Sequence, residues 1–267
     1  MSRAEQLLEQ ADPQAALLEL QQEVRRDAAD PKLRVFLFQL LCVLGQWQRA
    51  EAQLKLCGEL DAGTLAMVHT YGPALACETL RESVFAGRSS PHVFAPPSPW
   101  VTQLAQALML DGQGRPAEAA AARSRALEEA SASRGRLDGD PFAWIADADS
   151  RLGPVLEIVL NGRYGWLPFE QIAMLTLEPV ADLRDLVWAP ARLLLVTGRE
   201  LVGLIPVRYA GSCESGDGEL ELARRTEWLE LAEGQYRGVG QRVLVTDRRE
   251  AGLLELRELV IEPAAAA

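Results

Sequence analysis

Residues 30–54 read DPKLRVFLFQLLCVLGQWQRAEAQL, and this stretch decides the fold of the first half of the chain. The Asp–Pro pair at its start suits a helix N-terminus, because aspartate supplies a capping oxygen and proline fits the first helical position. Large apolar residues then recur three and four positions apart, as on one side of a helix: Leu33, Phe36, Leu37, Leu40, Leu41 and Leu44. Gly45 allows the chain to turn, Trp47 packs the corner and Ala50 lets a second helix approach closely. The stretch therefore predicts a helix–turn–helix unit.

The same features return further along the chain. Ser98-Pro99 is a second helix start, and Gly114 and Ala119 repeat the spacing of Gly45 and Ala50. The two starts are 98 − 30 = 68 residues apart, which is twice the repeat of about 34 residues that TPR proteins use. One further repeat is then expected between them, over residues 65–87. We predict a TPR-like helical domain over residues 1–130, and a plain helical bundle without a groove is the alternative.

Beyond this helical part the periodicity changes to that of strands. Residues 131–140 (SASRGRLDGD) are small and polar and are predicted as a linker. Asn161-Gly162 is a strong hairpin signal, because both residues tolerate positive φ. The predicted strands are residues 155–160, 163–167, 192–196, 201–207, 242–246 and 253–261, the last two as a pair, with short helices at 169–173 and 182–186. The fold class is thus α+β with two subdomains, the second being a mostly antiparallel, β-rich α+β subdomain over residues 141–267.

Composition limits the classes of partner. The chain has 267 residues and a net charge of −11, so it offers no basic surface to nucleic acid or to an anionic membrane. No apolar run reaches the roughly 18 residues that span a bilayer. The N-terminus lacks the apolar core of a signal peptide, so a cytoplasmic location is expected, with neither nucleic acid nor membrane as a partner.

The motifs of common enzyme and metal sites are missing from the sequence. There is no glycine-rich phosphate loop and no nucleophile elbow. Asp147 and Asp149 flank Ala148 and are interpreted as capping or solvated residues rather than as an acid–base pair. The cysteines and histidines are too widely spaced for a zinc or redox site: Cys42, Cys57, Cys77, Cys213, His69 and His92. We therefore predict no catalytic residue, no cofactor, no metal and no enzymatic activity.

Three segments of the second half carry a family resemblance. They are RLGPVLEIVLNGRYGWLPFEQI at 151–172, LRDLVWAPARLLLVTGRELVGLIPVRYAGS at 183–212 and ARRTEWLEL at 223–231. Together with residues 30–54 they resemble the ImpE family, also called TagJ, of bacterial type VI secretion accessory proteins. The resemblance implies an N-terminal α-α superhelix followed by an α+β subdomain. It also implies an adaptor role at the contractile sheath, with a helix of the small sheath subunit TssB and the recycling ATPase ClpV as partners.

An adaptor of this kind needs a groove, which we expect along the first helix of each repeat. Counting from Pro31 and from Trp100, the inward positions that we predict to bind a partner are Lys32, Val35, Gln39, Val101, Leu104 and Leu108, with Cys42 and Asp111 continuing the two series. An apolar floor with few charges suits an amphipathic helix laid in a groove.

Two other functions remain open from the sequence. The β-rich half could bind a small molecule, as an enzyme or a sensor, in a cup formed by Tyr164, Trp166, Arg184, Asp185 and Trp188. Alternatively the chain could be a structural scaffold that only dimerises.

Overall fold

The first part of the chain is helical, as predicted. The computed structural model describes residues 1–263 of the chain. Its helices in this part are α1 (Arg3–Glu9), α2 (Pro13–Arg26), α3 (Pro31–Val43), α4 (Trp47–Leu60), α5 (Leu65–Phe85), α6 (Pro99–Gly112) and α7 (Pro116–Glu129), with a 3-10 turn at Ala62–Thr64. Asp12 caps α2 by accepting a hydrogen bond from the Ala15 amide at 2.9 Å. Asp30 caps α3 by accepting one from the Lys32 amide at 2.8 Å.

The corners between paired helices follow the repeat pattern. Gly45 and Gly114 adopt φ values of +64° and +70°, which glycine tolerates best. Ala50 and Ala119, five residues later, are completely buried where the paired helices touch. The repeat expected over residues 65–87 is different, because that segment forms the single 21-residue helix α5 instead of a helix pair.

The second part is built on a large sheet, to which the helical part adds one short strand, β1 (His92–Val93), from the segment between α5 and α6. The other strands are β2 (Gly135–Leu137), β3 (Asp140–Phe142), β4 (Ile145–Asp147), β5 (Val155–Leu160), β6 (Arg163–Pro168), β7 (Ile172–Leu177), β8 (Trp188–Leu195), β9 (Glu200–Pro206), β10 (Thr226–Ala232), β11 (Gln235–Gly240), β12 (Val243–Thr246), β13 (Glu250–Gly252) and β14 (Glu258–Ile261). Nine of them form one sheet in the order β1-β6-β5-β9-β8-β7-β14-β2-β3. β1 runs parallel to β6, and the other neighbours in this sheet are antiparallel.

Two smaller sheets complete this part, with the orders β10-β11 and β13-β12-β4. The short helices are 3-10 turns at Phe169–Gln171, Leu183–Leu186 and Ser212–Glu214, and a short helix α8 at Gly218–Glu221. The first two agree with the short helices that the sequence predicts at 169–173 and 182–186.

The hairpin prediction is confirmed. Asn161 and Gly162 adopt φ values of +50° and +71° and join β5 to β6, with Leu160 opposite Arg163. This is the backbone that a tight two-residue hairpin turn requires.

Two predicted features of the second part differ from the structure. The last two predicted strands do not pair with each other, because β12 lies between β13 and β4 whereas β14 lies between β7 and β2. The predicted linker, residues 131–140, contains β2, which hydrogen-bonds to β14 inside the large sheet. Its central residues therefore belong to the sheet.

The large sheet lies between two layers. Alternate side chains of a strand point to opposite faces, and here Val155 and Val159 pack with the helices whereas Leu156 and Ile158 pack with the small three-stranded sheet. The helical part and one face of the large sheet share a single hydrophobic core. The division into separate domains at residues 130 and 140 stays a prediction, as does the assignment of residues 264–267, which lie outside the described range.

Candidate functional site

The predicted groove residues fall into two groups. Val101, Leu104 and Leu108 on α6 are 2 %, 0 % and 1 % exposed and belong to the core between the helices and the sheet. The prediction that these three residues bind a partner is therefore wrong, because their side chains already pack against other parts of the protein. They do share one face of α6, as their spacing predicts, but that face is covered.

Two of the three predicted groove residues on α3 lie at the surface. Lys32 is exposed and Val35 is partly exposed, whereas Gln39 is buried, at 8 % exposure. These residues and Phe36 lie three or four positions apart and so share one side of α3. Val35 lies outside the described core clusters, whereas Phe36 packs at the edge of the core.

A hollow opens beside this side of α3, between α1 and the 3-10 turn at Leu183–Leu186. It has a volume of about 640 Å³ and is called the α1–α3 hollow below; it is lined by Met1, Glu5, Leu8, Glu9, Phe36, Gln39, Asp182 and Leu183. Its floor is apolar and its charged lining residues are all acidic. Gln39 is the predicted residue that lines it, and the contribution from residues 182–183 had no signal in the sequence.

The residues of the predicted small-molecule cup are packed into the protein instead of surrounding a cavity. Tyr164, Trp166 and Trp188 are at most 1 % exposed. The Trp188 Nε1 donates to Glu78 on α5 at 2.7 Å, and the Trp166 Nε1 donates to the Tyr164 hydroxyl at 3.2 Å. Asp185 accepts from the Ala181 amide at 2.7 Å, and Arg184 pairs with Asp182 and lies over the Tyr71 ring. These side chains attach the sheet to the helices. The predicted small-molecule cup is therefore not formed by these residues.

A buried charge network lies at the same junction. Arg81 of α5 binds both oxygens of Glu157 on β5, through Nε at 2.8 Å and Nη2 at 3.1 Å. Arg242 pairs with Glu157 and also with Asp147. The Tyr164 hydroxyl donates to Glu157 at 2.6 Å. Sequence reasoning missed this network, although Glu157 inside the apolar run 155–160 was a signal that a buried partner must exist.

The two carboxylates of this network have shifted pKa values in opposite directions. Burial alone would raise the pKa of Glu157, but Arg81 and Arg242 outweigh burial and lower it to about 2. For Asp147, burial raises the pKa by more than the nearby Arg242 lowers it, so the pKa is raised to about 6. Both side chains are at most 3 % exposed, so they hold the fold and are out of reach of a substrate.

Arg208 ties the end of α3 to the β part. Its Nη2 donates to the Cys42 carbonyl at 3.2 Å, and its Nη1 donates to the Val43 carbonyl and, at 2.6 Å, to the Glu221 carbonyl. Carbonyls in the last turn of a helix have no partner within the helix, so a buried guanidinium is a fitting donor. Arg208 thus joins the C-terminal end of α3 to the β-rich part of the chain.

Among residues 1–263 no group of three or more histidine, cysteine, aspartate or glutamate side chains is placed to hold a metal ion. Within the same range, none of the helices combines the length and the apolar character that crossing a membrane requires.

Comparison with known proteins gives a family. The family model described as "ImpE protein" matches residues 139–260. A type VI secretion system accessory component, TagJ of Pseudomonas aeruginosa, is 50 % identical over 260 residues, which are 97 % of this chain and 91 % of that protein. A crystal structure of a Vibrio parahaemolyticus protein superposes with a TM-score of 0.90 and covers 99 % of each chain; at 20 % identity it shows the fold alone. Since the identity with TagJ extends over both the helical and the β-rich parts, the chain belongs to the ImpE/TagJ family of type VI secretion accessory proteins.

Proposed function

We propose that the chain is a non-enzymatic cytoplasmic adaptor of type VI secretion, which binds a helix of the small sheath subunit TssB and links the sheath to the ATPase ClpV. The observation that carries the proposal is the 50 % identity with a type VI accessory component over 97 % of the chain. The family resemblance supplies the two partners.

The chemistry of the buried charges supports an adaptor rather than a catalyst. Glu157 and Asp147 carry the largest carboxylate pKa shifts, and both are bound to Arg242 inside the core. A general acid or base must reach the proton it transfers. These groups instead connect α5 to the sheet and keep the helical part in a fixed orientation.

The α1–α3 hollow is the surface that we assign to the partner helix. Leu8, Phe36 and Leu183 provide apolar contacts, and Glu5, Glu9 and Asp182 lie around them. An amphipathic helix buries its apolar side in such a groove. Basic residues beside that side would meet Glu5 and Glu9, since Asp182 is already paired with Arg184. The partner helix is therefore expected to carry lysine or arginine next to its apolar stripe.

Binding of the purified full-length chain to TssB and to ClpV, each measured separately by isothermal titration calorimetry, tests the proposal. Val35→Glu places a charge on the accessible side of α3 without touching the core, and Leu18→Glu, on the exposed surface of α2 at 64 % exposure, is the matched control. We expect Val35→Glu to weaken TssB binding by at least about tenfold, or about 1.4 kcal/mol, and Leu18→Glu to bind like the wild type.

The possible outcomes distinguish failure of the adaptor role from failure of the proposed binding site for TssB. A wild-type chain that binds neither TssB nor ClpV contradicts the adaptor role. A folded Val35→Glu variant that binds TssB with wild-type affinity leaves the adaptor role standing and excludes a binding site that spans this side of α3 and the hollow beside it. Helical circular dichroism of each variant shows whether it is folded.

A further inference from the structure

Among residues 1–263, no helix covers the part of the helix-facing side of the large sheet formed by β7, β14 and the outer end of β9. α5 and its neighbours cover β5, β6 and the start of β8, where Tyr164 and Trp188 are buried. Further along the sheet, Met174 on β7 and Val202 on β9 point to the same side and are 37 % and 72 % exposed. A hollow of about 470 Å³ lies above them. We call this uncovered area the open half-face.

Strand register defines the open half-face as two rows. Residues that are directly opposite in an antiparallel pair point to the same side of a sheet. The first row, across β2, β14, β7, β8 and β9, is Arg136, Val260, Met174, Leu194 and Glu200. The second row, across β14, β7, β8 and β9, is Glu258, Thr176, Arg192 and Val202. The intervening residues, such as Leu175 and Leu193, face the opposite core.

The charges of the open half-face balance. Two arginines and two glutamates, Arg136, Arg192, Glu200 and Glu258, give a net charge of 2 − 2 = 0, whereas the whole chain carries −11. All four are exposed. Arg192 has a loose contact with the exposed Glu178, at 3.8 Å, which adds one negative charge at the edge of the two rows. Even so, the area is far less acidic than the chain as a whole.

The order of the charges is self-complementary about β7. In the sheet order, β8 and β14 flank β7, and β9 and β2 lie one strand further out on either side. A two-fold axis along β7, in the plane between two facing sheets, places β8 of one copy over β14 of the other, and β9 over β2. Glu200 then faces the second copy's Arg136, and Arg192 faces its Glu258.

We propose that the open half-face is the interface of a two-fold symmetric dimer of this chain. A symmetric interface must be complementary to itself, and the four charges meet that condition. Between them, Met174 packs on its own copy and Leu194 packs on Val260, so the centre is apolar and the rim is charged. Facing sheets in proteins lie about 10 Å apart and are rotated by about 30°, a range that long arginine and glutamate side chains can follow. The proposal is independent of TssB and ClpV.

Sedimentation velocity of the chain alone, over a wide concentration range, tests the dimer. We expect a monomer–dimer equilibrium in the wild type. Glu200→Arg should weaken it by roughly tenfold or more, because each copy then places arginine against arginine in a contact that occurs twice. The double variant Glu200→Arg with Arg136→Glu should restore it, since the swapped pair again joins opposite charges. Glu128→Arg, on the exposed side of α7 and away from the sheet, is the control for net charge.

A second variant, Val202→Asp, tests the outer end of the second row, where the same axis places Val202 on β9 over β2 of the second copy. Val202 is 72 % exposed, so the substitution should leave the thermal melt unchanged and reduce dimerisation. A wild-type chain that stays monomeric at every concentration overturns the proposal. A dimer whose dissociation constant is unchanged by both Glu200→Arg and Val202→Asp overturns it as well. The proposal is also overturned if the double variant Glu200→Arg with Arg136→Glu fails to restore dimerisation. Loss of TssB binding by Val202→Asp in a monomeric chain would overturn it in favour of a different occupant.

Discussion

Substitution of Glu157 by glutamine removes the charge that joins α5 to the sheet. The carboxylate is completely buried and bound by Arg81, Arg242 and the Tyr164 hydroxyl. Glutamine keeps the shape and one acceptor oxygen, so the change is mainly electrostatic. Arg81 retains Glu78 at 3.3 Å and Arg242 retains Asp147, which limits the damage.

The size of the effect follows from the pKa of Glu157. It is lowered from 4.5 to about 2, which at 1.36 kcal/mol per pH unit corresponds to about 3 kcal/mol of stability at neutral pH. This agrees with the low end of the 3–5 kcal/mol expected when a buried ion pair loses one partner. We therefore expect Glu157→Gln to lower the free energy of unfolding by about 3 kcal/mol at pH 7.

The same reasoning fixes the pH dependence. Because the folded-state pKa lies below the unfolded one, the contribution of Glu157 is present above pH 4.5 and fades as pH falls towards about 2. Urea denaturation followed by circular dichroism, at pH 7 and again at about pH 3, should show the gap between wild type and variant shrinking at the acid end.

The matched control is Glu118→Gln. Glu118 pairs with Arg115 at 2.6 Å, but at the surface of α7, so its variant should unfold at the wild-type urea concentration. A gap below about 1 kcal/mol at pH 7 would refute the reasoning. So would a gap that stays the same at low pH, since it would then come from packing rather than charge.

Two further variants test the corner after α3 and the β5–β6 turn. Trp47→Ala should lower the free energy of unfolding, measured by urea denaturation, by about 3–5 kcal/mol, because Trp47 is 7 % exposed and its Nε1 donates to Glu82 at 2.6 Å. The control Trp144→Ala, at 40 % exposure, should lower it much less, and equal losses would contradict the packing role of Trp47. Gly162→Val should lower the thermal midpoint, because φ is +71° there and a Cβ would come within 2.9 Å of the Pro73 Cβ; an unchanged midpoint would contradict the strained turn.

Local sequence determined the starts of the helices and the tight turns. Asp12 and Asp30 cap helices because their side chains reach amides two or three residues away, and Asn161-Gly162 turns because its own backbone tolerates positive φ. Each of these features depends on a few neighbouring residues, so it could be predicted without knowing the rest of the chain. The family resemblance, carried by long segments of the second half, was likewise contained in the sequence.

Strand partners were decided by the tertiary structure. The sequence predicts a strand over residues 253–261, but it does not indicate that this strand lies between β7 and β2. The β10–β11 hairpin was missed, because β10 is mostly exposed on both faces and shows no clear alternation. Its Trp228 and Leu229 are adjacent in the chain and are 38 % and 42 % exposed.

The candidate site shows the same division. Helical spacing marked Val35 on α3 and Leu104 on α6 as equivalent, yet Val35 is accessible and Leu104 is completely buried. Periodicity places a residue on a face of its helix, whereas the packing of distant segments decides whether that face is covered. The hollow beside Gln39 needs Leu183 from the far half of the chain, and Glu157 needs Arg81 and Arg242. Such contacts join residues far apart in the chain, and only the folded arrangement, where burial and charge are balanced together, brings them within reach.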